Sequence, residues 1–150
     1  MISNAYFLQA LDTTTYCRIG VSKVHGIGVR AIRDIPKGID PFISFGSNKS
    51  FLRLTEEEIK TLNPAVQNYI KAYYVRTEGI YPVMLRGLNE VGIFSYMNHS
   101  DNPNMSLYKE NENELLPFVT LKDIKAGEEL FWDYRTSGGD NLEKQYPFLK

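Results

Sequence analysis

Cysteine occurs once in these 150 residues, at Cys17, so neither an internal disulfide nor a cysteine-built zinc site is open to a single chain. Histidine occurs twice, at His25 and His99, with no Asp or Glu at a spacing typical of zinc, and no metal site is expected. No run approaches the roughly 18 apolar residues of a membrane span, and Met1-Ile2-Ser3-Asn4-Ala5 lacks the charged start of a signal peptide. The expectation is an intracellular, soluble chain with no membrane partner; no basic localisation cluster separates nucleus from cytoplasm. A surplus of positive charge is missing too. With 17 basic and 18 acidic side chains the net charge is −1, which argues against direct DNA or RNA binding as the main role.

What is present suits one compact domain over 1–150, since 43% hydrophobic content builds a core without a staple. Ten tyrosines and eight phenylalanines fall mostly in short β-branched or aromatic runs. These are Tyr16 to Ile19, Gly28 to Ile32, Phe42 to Phe45, Tyr73-Tyr74-Val75, Tyr81 to Leu85, Met105 to Tyr108, Leu115 to Leu121 and Glu129 to Trp132. Breaker clusters at Asp34-Ile-Pro-Lys-Gly38, Arg76 to Gly79 and Asp101-Asn102-Pro103 separate them, so the fold is expected to be mostly β. Thr55 with Glu58 forms a capping box and Leu54 with Ile59 a hydrophobic staple, which predicts a helix from Thr55. Asn63-Pro64 interrupts it and restarts it, with Val66, Tyr69, Ile70 and Tyr73 on one apolar face: two short helices inserted between strands. Asp34-Ile-Pro-Lys-Gly38 and Asp123-Ile-Lys-Ala-Gly127 echo each other, which chance could also supply.

Three constellations carry possible chemistry. His25-Gly26-Ile27-Gly28 places two glycines just before a strand, which suits an ordinary tight turn and equally a backbone that approaches a carboxylate closely. It lacks the third glycine and following helix of a dinucleotide fingerprint. Asn98-His99-Ser100 follows an apolar run and reads either as a side-chain-closed turn or as a polar site. No serine sits in a nucleophile elbow and Cys17 has no placed base, so hydrolytic chemistry is set aside. The third is Gly127-Glu128, then the strand from Glu129 to Trp132, ending in Asp133 and the lone phenol of Tyr134.

Together these pieces resemble the SET-domain protein lysine methyltransferases. The resemblance rests on His25-Gly-Ile-Gly-Val-Arg-Ala31, Asp34-Ile-Pro-Lys-Gly38, Tyr96-Met-Asn-His-Ser100 with Pro103-Asn104, and Asp123-Ile-Lys-Ala-Gly-Glu-Glu-Leu130 through Asp133-Tyr134, in the family order from about residue 17 to 134. It implies the SET β-clip fold, with short curled sheets and a pseudoknot in which the C-terminal segment threads beneath a loop near Asn98-His99, a rare topology. A variable insert would span about 46–92. The implied activity is S-adenosyl-L-methionine-dependent methylation of a lysine on a histone or other protein or peptide, leaving S-adenosyl-L-homocysteine. Gly26, Ile27 and Gly28 would hold the methionine part of the donor, and Asn98 and His99 its amino and adenine ends. Tyr134 would contact the donor as the catalytic tyrosine, with Trp132, Tyr69 and Tyr96 lining the substrate channel. Alignment of amine and methyl, with no dedicated general base, would supply most of the acceleration. The rival function is a catalytically silent SET-like module that binds a peptide or the cofactor for recruitment.

Some features depart from the family pattern. Trp132 stands two positions before the tyrosine, where Phe or Tyr is common, and leaves mono-, di- or trimethylation open. Asp101 replaces a common cysteine, and the segment 135–150 carries no cysteine-rich zinc motif. Tyr146 and Phe148 either cover the site or simply pack the tail on its own domain. The acidic run Glu110 to Glu114 is read as a solvated turn in preference to a docking point for a basic tail.

Overall fold

The computed structural model describes residues 4–42, 51–84, 92–107 and 118–149. Helix α1 (Asn4–Thr14) leads into strands β1 (Cys17–Val21) and β2 (Ile27–Ala31). The insert follows as β3 (Phe51–Thr55), α2 (Glu56–Lys60), α3 (Pro64–Tyr73) and β4 (Ile80–Met84). Strands β5 (Asn98–His99), β6 (Met105–Leu107), β7 (Phe118–Thr120) and β8 (Glu129–Trp132) precede the short helix α4 (Leu142–Gln145). Short 3-10 turns occupy Ile93–Tyr96, Tyr134–Ser137 and Pro147–Leu149. The mostly β expectation holds. Ile43 to Phe45 of one expected strand, the acidic run Glu110 to Glu114, and the insert at 46–50 and 85–91 lie outside the described residues.

Strand β8 organises the main sheet, whose order is β1-β2-β8-β6-β7 with β5 also on β8. It is antiparallel to β2 through Val29↔Leu130 and parallel to β5 through Asn98↔Phe131 and His99↔Trp132. Trp132 also pairs with Met105 of β6. A strand residue has only two edges, so β8 passes between β5 and β6, and the connection 100–104 bridges over it. This is the threading that the family resemblance implies. The bridge is sutured at both ends: Ser100 N donates to Trp132 O at 3.1 Å, and Asn104 N to Phe131 O at 3.2 Å. Asn104, only 7% exposed, adds Nδ2 to Glu129 O at 2.9 Å and accepts from Phe131 N at 2.8 Å. Its amide thus satisfies backbone groups that burial would otherwise leave unpaired. Glu129, Leu130 and Trp132 are all buried, as in a strand covered on both faces.

The core beneath this sheet joins Val29, Ala31, Ile35, Phe42, Met97, Met105, Phe118, Ile124, Leu130 and Trp132. The two echoing turns pair within it: Ile35 and Ile124 exchange backbone hydrogen bonds at 2.8 and 2.9 Å. Asp34 accepts from Ala126 N and Asp123 from Lys37 N, each at 2.9 Å, so each aspartate caps the other turn. The echo is therefore a reciprocal structural device. Gly38 and Gly127 take φ 84° and 87° there, a conformation that glycine adopts without steric cost.

The insert has its own core of Ile59, Ile70, Tyr74, Tyr81 and Val83, with Leu54 packed on it. Both capping-box bonds are present at Thr55 and Glu58, and Asn63 caps α3 with Pro64 at its start. Two differences stand out. Tyr73-Tyr74-Val75 is not a strand: α3 runs through Tyr73 and Tyr74 caps it, because Ile70 and Tyr74, four residues apart, continue one buried helical stripe. Helix α1 and strand β3 had no counterpart in the sequence reading.

Candidate active site

The turn joining β1 to β2 is built on Ser22, whose Oγ accepts from Val24 N at 3.0 Å and His25 N at 3.2 Å. Gly26 comes next at φ 55°, with nothing within 4 Å of where a side chain would begin. Asn98 closes against this turn: Nδ2 lies 3.1 Å from His25 O, 3.0 Å from Ile27 O and 3.1 Å from Glu129 Oε1, its two N–H groups shared among the three acceptors. Gly26, Ile27, Gly28 and Asn98, separated by some seventy residues of chain, are thus brought together.

His99, next along β5, is held by the turn at the end of β8. Its Nδ1 accepts from Tyr134 N at 3.3 Å, which leaves the ring proton for Nε2, 3.4 Å from Asp101 Oδ1. Arg135 ties the surroundings together, with Nε 2.8 Å from Asp133 Oδ1 and Nη2 2.7 Å from Asp101 Oδ1. The Arg135 hydrogen bond, ahead of burial, which opposes it, holds the Asp133 carboxyl below its usual range.

Tyr134 donates its phenol proton to the carbonyl of Met97 at 2.8 Å, immediately before Asn98. Its ring packs on Trp132 (5.2 Å between centroids), Tyr146 (4.9 Å), His99 (5.4 Å) and Phe148 (6.3 Å). Burial, then the nearby Tyr146 phenol, raises the Tyr134 pKa. Tyr146 is raised by burial alone. The tail residues Tyr146 and Phe148 pack on this ring cluster, Phe148 also lying 5.9 Å from His99, a contact that both readings of the tail allow. The tail is latched to the insert, with Asp140 accepting from Gly79 N at 2.8 Å and Gln145 Nε2 donating to Lys71 O at 2.6 Å.

The expected channel residues fall in two sets. Trp132 belongs with Tyr134 and is largely core, 8% exposed and edge-on to Phe118 at 5.3 Å. Tyr69 and Tyr96 share a side-chain hydrogen bond and both pack on Tyr73, whose ring lies 4.9 Å from one and 5.5 Å from the other. Burial, then the Tyr69 and Tyr73 phenols, raises the Tyr96 pKa. Tyr96 and Tyr134 both pack on the main core, but among the described residues no ring contact joins the two sets. A hollow of about 580 Å³ is lined by Arg135, Asn141, Leu142, Glu143 and Lys144, and none of the expected channel residues lines it. Sequence reasoning missed Glu129, Arg30, Tyr73 and Met97. Tyr73 shares the helical face that carried Tyr69, a signal that was there to use; the others act only through long-range contact.

A strand threaded through a loop thus gathers an amide, an imidazole and a phenol at the crossing. The SET domain family matches residues 26–135, and the chain belongs to it. The chain is similar in fold to a humanized mutant of the Chaetomium thermophilum Polycomb Repressive Complex 2 bound to an inhibitor, with a TM-score of 0.55 and 24% identity. That match covers 87% of this chain and 16% of the other. It is also similar to a Plasmodium falciparum “putative histone methyltransferase”, with a TM-score of 0.50, 19% identity and coverage of 80% of this chain and 93% of that one. No curated protein sequence matches the chain.

Proposed function

We propose that this chain is an S-adenosylmethionine-dependent protein-lysine N-methyltransferase acting on a histone or another protein. The observation that carries this reading is the Tyr134 phenol, fixed on Met97 O at 2.8 Å beside Asn98 and His99 where β8 leaves its passage under 100–104. The residues fit such a donor. Gly26 offers an exposed left-handed turn clear of neighbours, Asn98 Oδ1 accepts no hydrogen bond from a described residue and is available to an ammonium group, and His99 offers a ring face for adenine. When bound, S-adenosylmethionine supplies a sulfonium methyl group open to in-line displacement.

Tyr134 acts as an aligner. Its raised pKa keeps it protonated at neutral pH, and its proton is committed to Met97, so the oxygen lone pairs remain to orient an amine or a polarised C–H group. A free lysine amine, pKa near 10.4, must arrive neutral to attack. Burial of that amine beside the Tyr134 oxygen, away from water, penalises the ammonium form and lowers that pKa. Incubation with methyl-labelled donor, histones and cell extract, followed by mass spectrometry of lysines, tests the reading. Wild type should label a lysine and Tyr134→Phe about a hundredfold more slowly; donor binding without label on any protein would refute it.

A further inference from the structure

Glu129 opens β8 with its side chain 5% exposed. A carboxylate so buried is costly unless paired. Both oxygens are: Oε2 with Arg30 Nη2 at 3.3 Å and Oε1 with Asn98 Nδ2 at 3.1 Å. Arg30 is anchored in turn, through Nε and Nη2 to Val21 O at 3.2 and 3.0 Å and through Nη1 to Gly127 O at 3.0 Å. The carboxylate and the carbonyls of His25 and Ile27 converge on Asn98 Nδ2. Three acceptors around one amide nitrogen allow one orientation, with the nitrogen turned to the carboxylate and Oδ1 turned from it.

Gly28 points to the same group. Unlike Gly26, it has no positive φ, so its backbone would accept other residues. A Cβ there would overlap the Glu129 carboxylate and lie 3.2 Å from Asn98 Nδ2. A side chain at 28 would displace the Glu129 carboxylate from its place against Asn98 and Arg30.

We infer that Glu129 is a positioning residue for the methyl donor: it sets the Asn98 amide so that Oδ1 faces the donor's ammonium group, and Gly28 is glycine to admit its carboxylate. The inference rests on the methyl-donor reading of the site. It is tested by calorimetric titration of adenosylhomocysteine into the full chain, with NMR of the side-chain amides of the unliganded protein. Glu129→Gln keeps one oxygen but sets an amide donor against either Arg30 Nη2 or Asn98 Nδ2, which loosens the pair and should weaken binding by about tenfold or more. The Asn98 amide pair, identified by its loss in Asn98→Ala, should shift and exchange faster with water. Gly28→Ala gives an independent test should Glu129→Gln fail to fold, with the same loss of affinity and the same amide shift expected. If wild type binds and both folded variants bind equally well with unmoved Asn98 signals, the inference is overturned and the donor reading stands. If wild type itself does not bind, the donor reading falls, and this inference with it.

Discussion

Removing one oxygen, in Tyr134→Phe, separates the role of the phenol in the fold from its role in the reaction. Among the described residues that oxygen makes a single hydrogen bond, 2.8 Å to the carbonyl of Met97, a residue 1% exposed. The ring keeps its packing on Trp132, Tyr146 and His99, because Phe preserves it. The stability cost is that of leaving one buried carbonyl unpaired, about 1–2 kcal/mol. For a chain of this size that lowers Tm by roughly 2–8 °C. Against a total of about 5–15 kcal/mol, the variant stays folded at 25 °C. Turnover should respond differently, since loss of the aligning oxygen costs about a hundredfold in kcat. Because the phenol is not a base, the wild-type rate should show no titration of Tyr134 below about pH 10. The assays are methyl transfer at saturating donor and a thermal melt of the same preparation. A variant that melts lower by that amount yet turns over within a few-fold of wild type would refute the aligning role.

Gly26→Ala should cost about 1 kcal/mol in urea unfolding, since φ 55° strains a side chain although space is open, and should weaken adenosylhomocysteine binding. Stability should fall at both ends of the pH scale. On the alkaline side burial, then Asp40, pushes the Cys17 thiol up to about 12, and Tyr134 is also raised. The unfolded chain therefore releases protons first, and urea midpoints should drop from about pH 9 upward, less steeply in Cys17→Ser. On the acid side the Lys125 hydrogen bond lowers Asp34, the Lys71 hydrogen bond lowers Glu56 and the Arg135 hydrogen bond lowers Asp133. Their contribution is present above the unfolded carboxyl range near pH 4 and is lost as pH falls below it, and Glu56→Gln should flatten that slope. Asp140→Ala removes the acceptor of the Glu78 and Gly79 amides, so those amides should exchange faster and the tail carrying Tyr146 should loosen; unchanged exchange would contradict the latch.

Features written in short stretches of chain were legible. The capping box at Thr55 and the restart at Asn63-Pro64 lie within single turns, and the Glu129–Trp132 strand appeared at its observed bounds. Asn98, His99 and Tyr134 stand out in the sequence because unusual residue types cluster around them, and the fold brings them together. What stayed hidden depends on distance. Nothing local marks Glu129 as the partner of Arg30, 99 positions away, or Gly28 as the space for its carboxylate. Helix α1 has no acid in its first turn and no base in its last, and leaves Leu8 and Leu11 exposed, so neither charge nor apolar periodicity announces it. Tyr73-Tyr74-Val75 misled because an aromatic run at a helix end looks like a strand until its four-residue spacing to Ile70 is used.

The central claim is that the passage of β8 beneath 100–104 makes one donor site from two distant segments. Hydrogen exchange with and without adenosylhomocysteine tests it most directly. The account predicts protection together at Gly26 to Gly28 and at Asn98-His99, with the amide of Tyr134 slowed as well. Protection at only one of these segments, or at neither with ligand bound elsewhere, would contradict it.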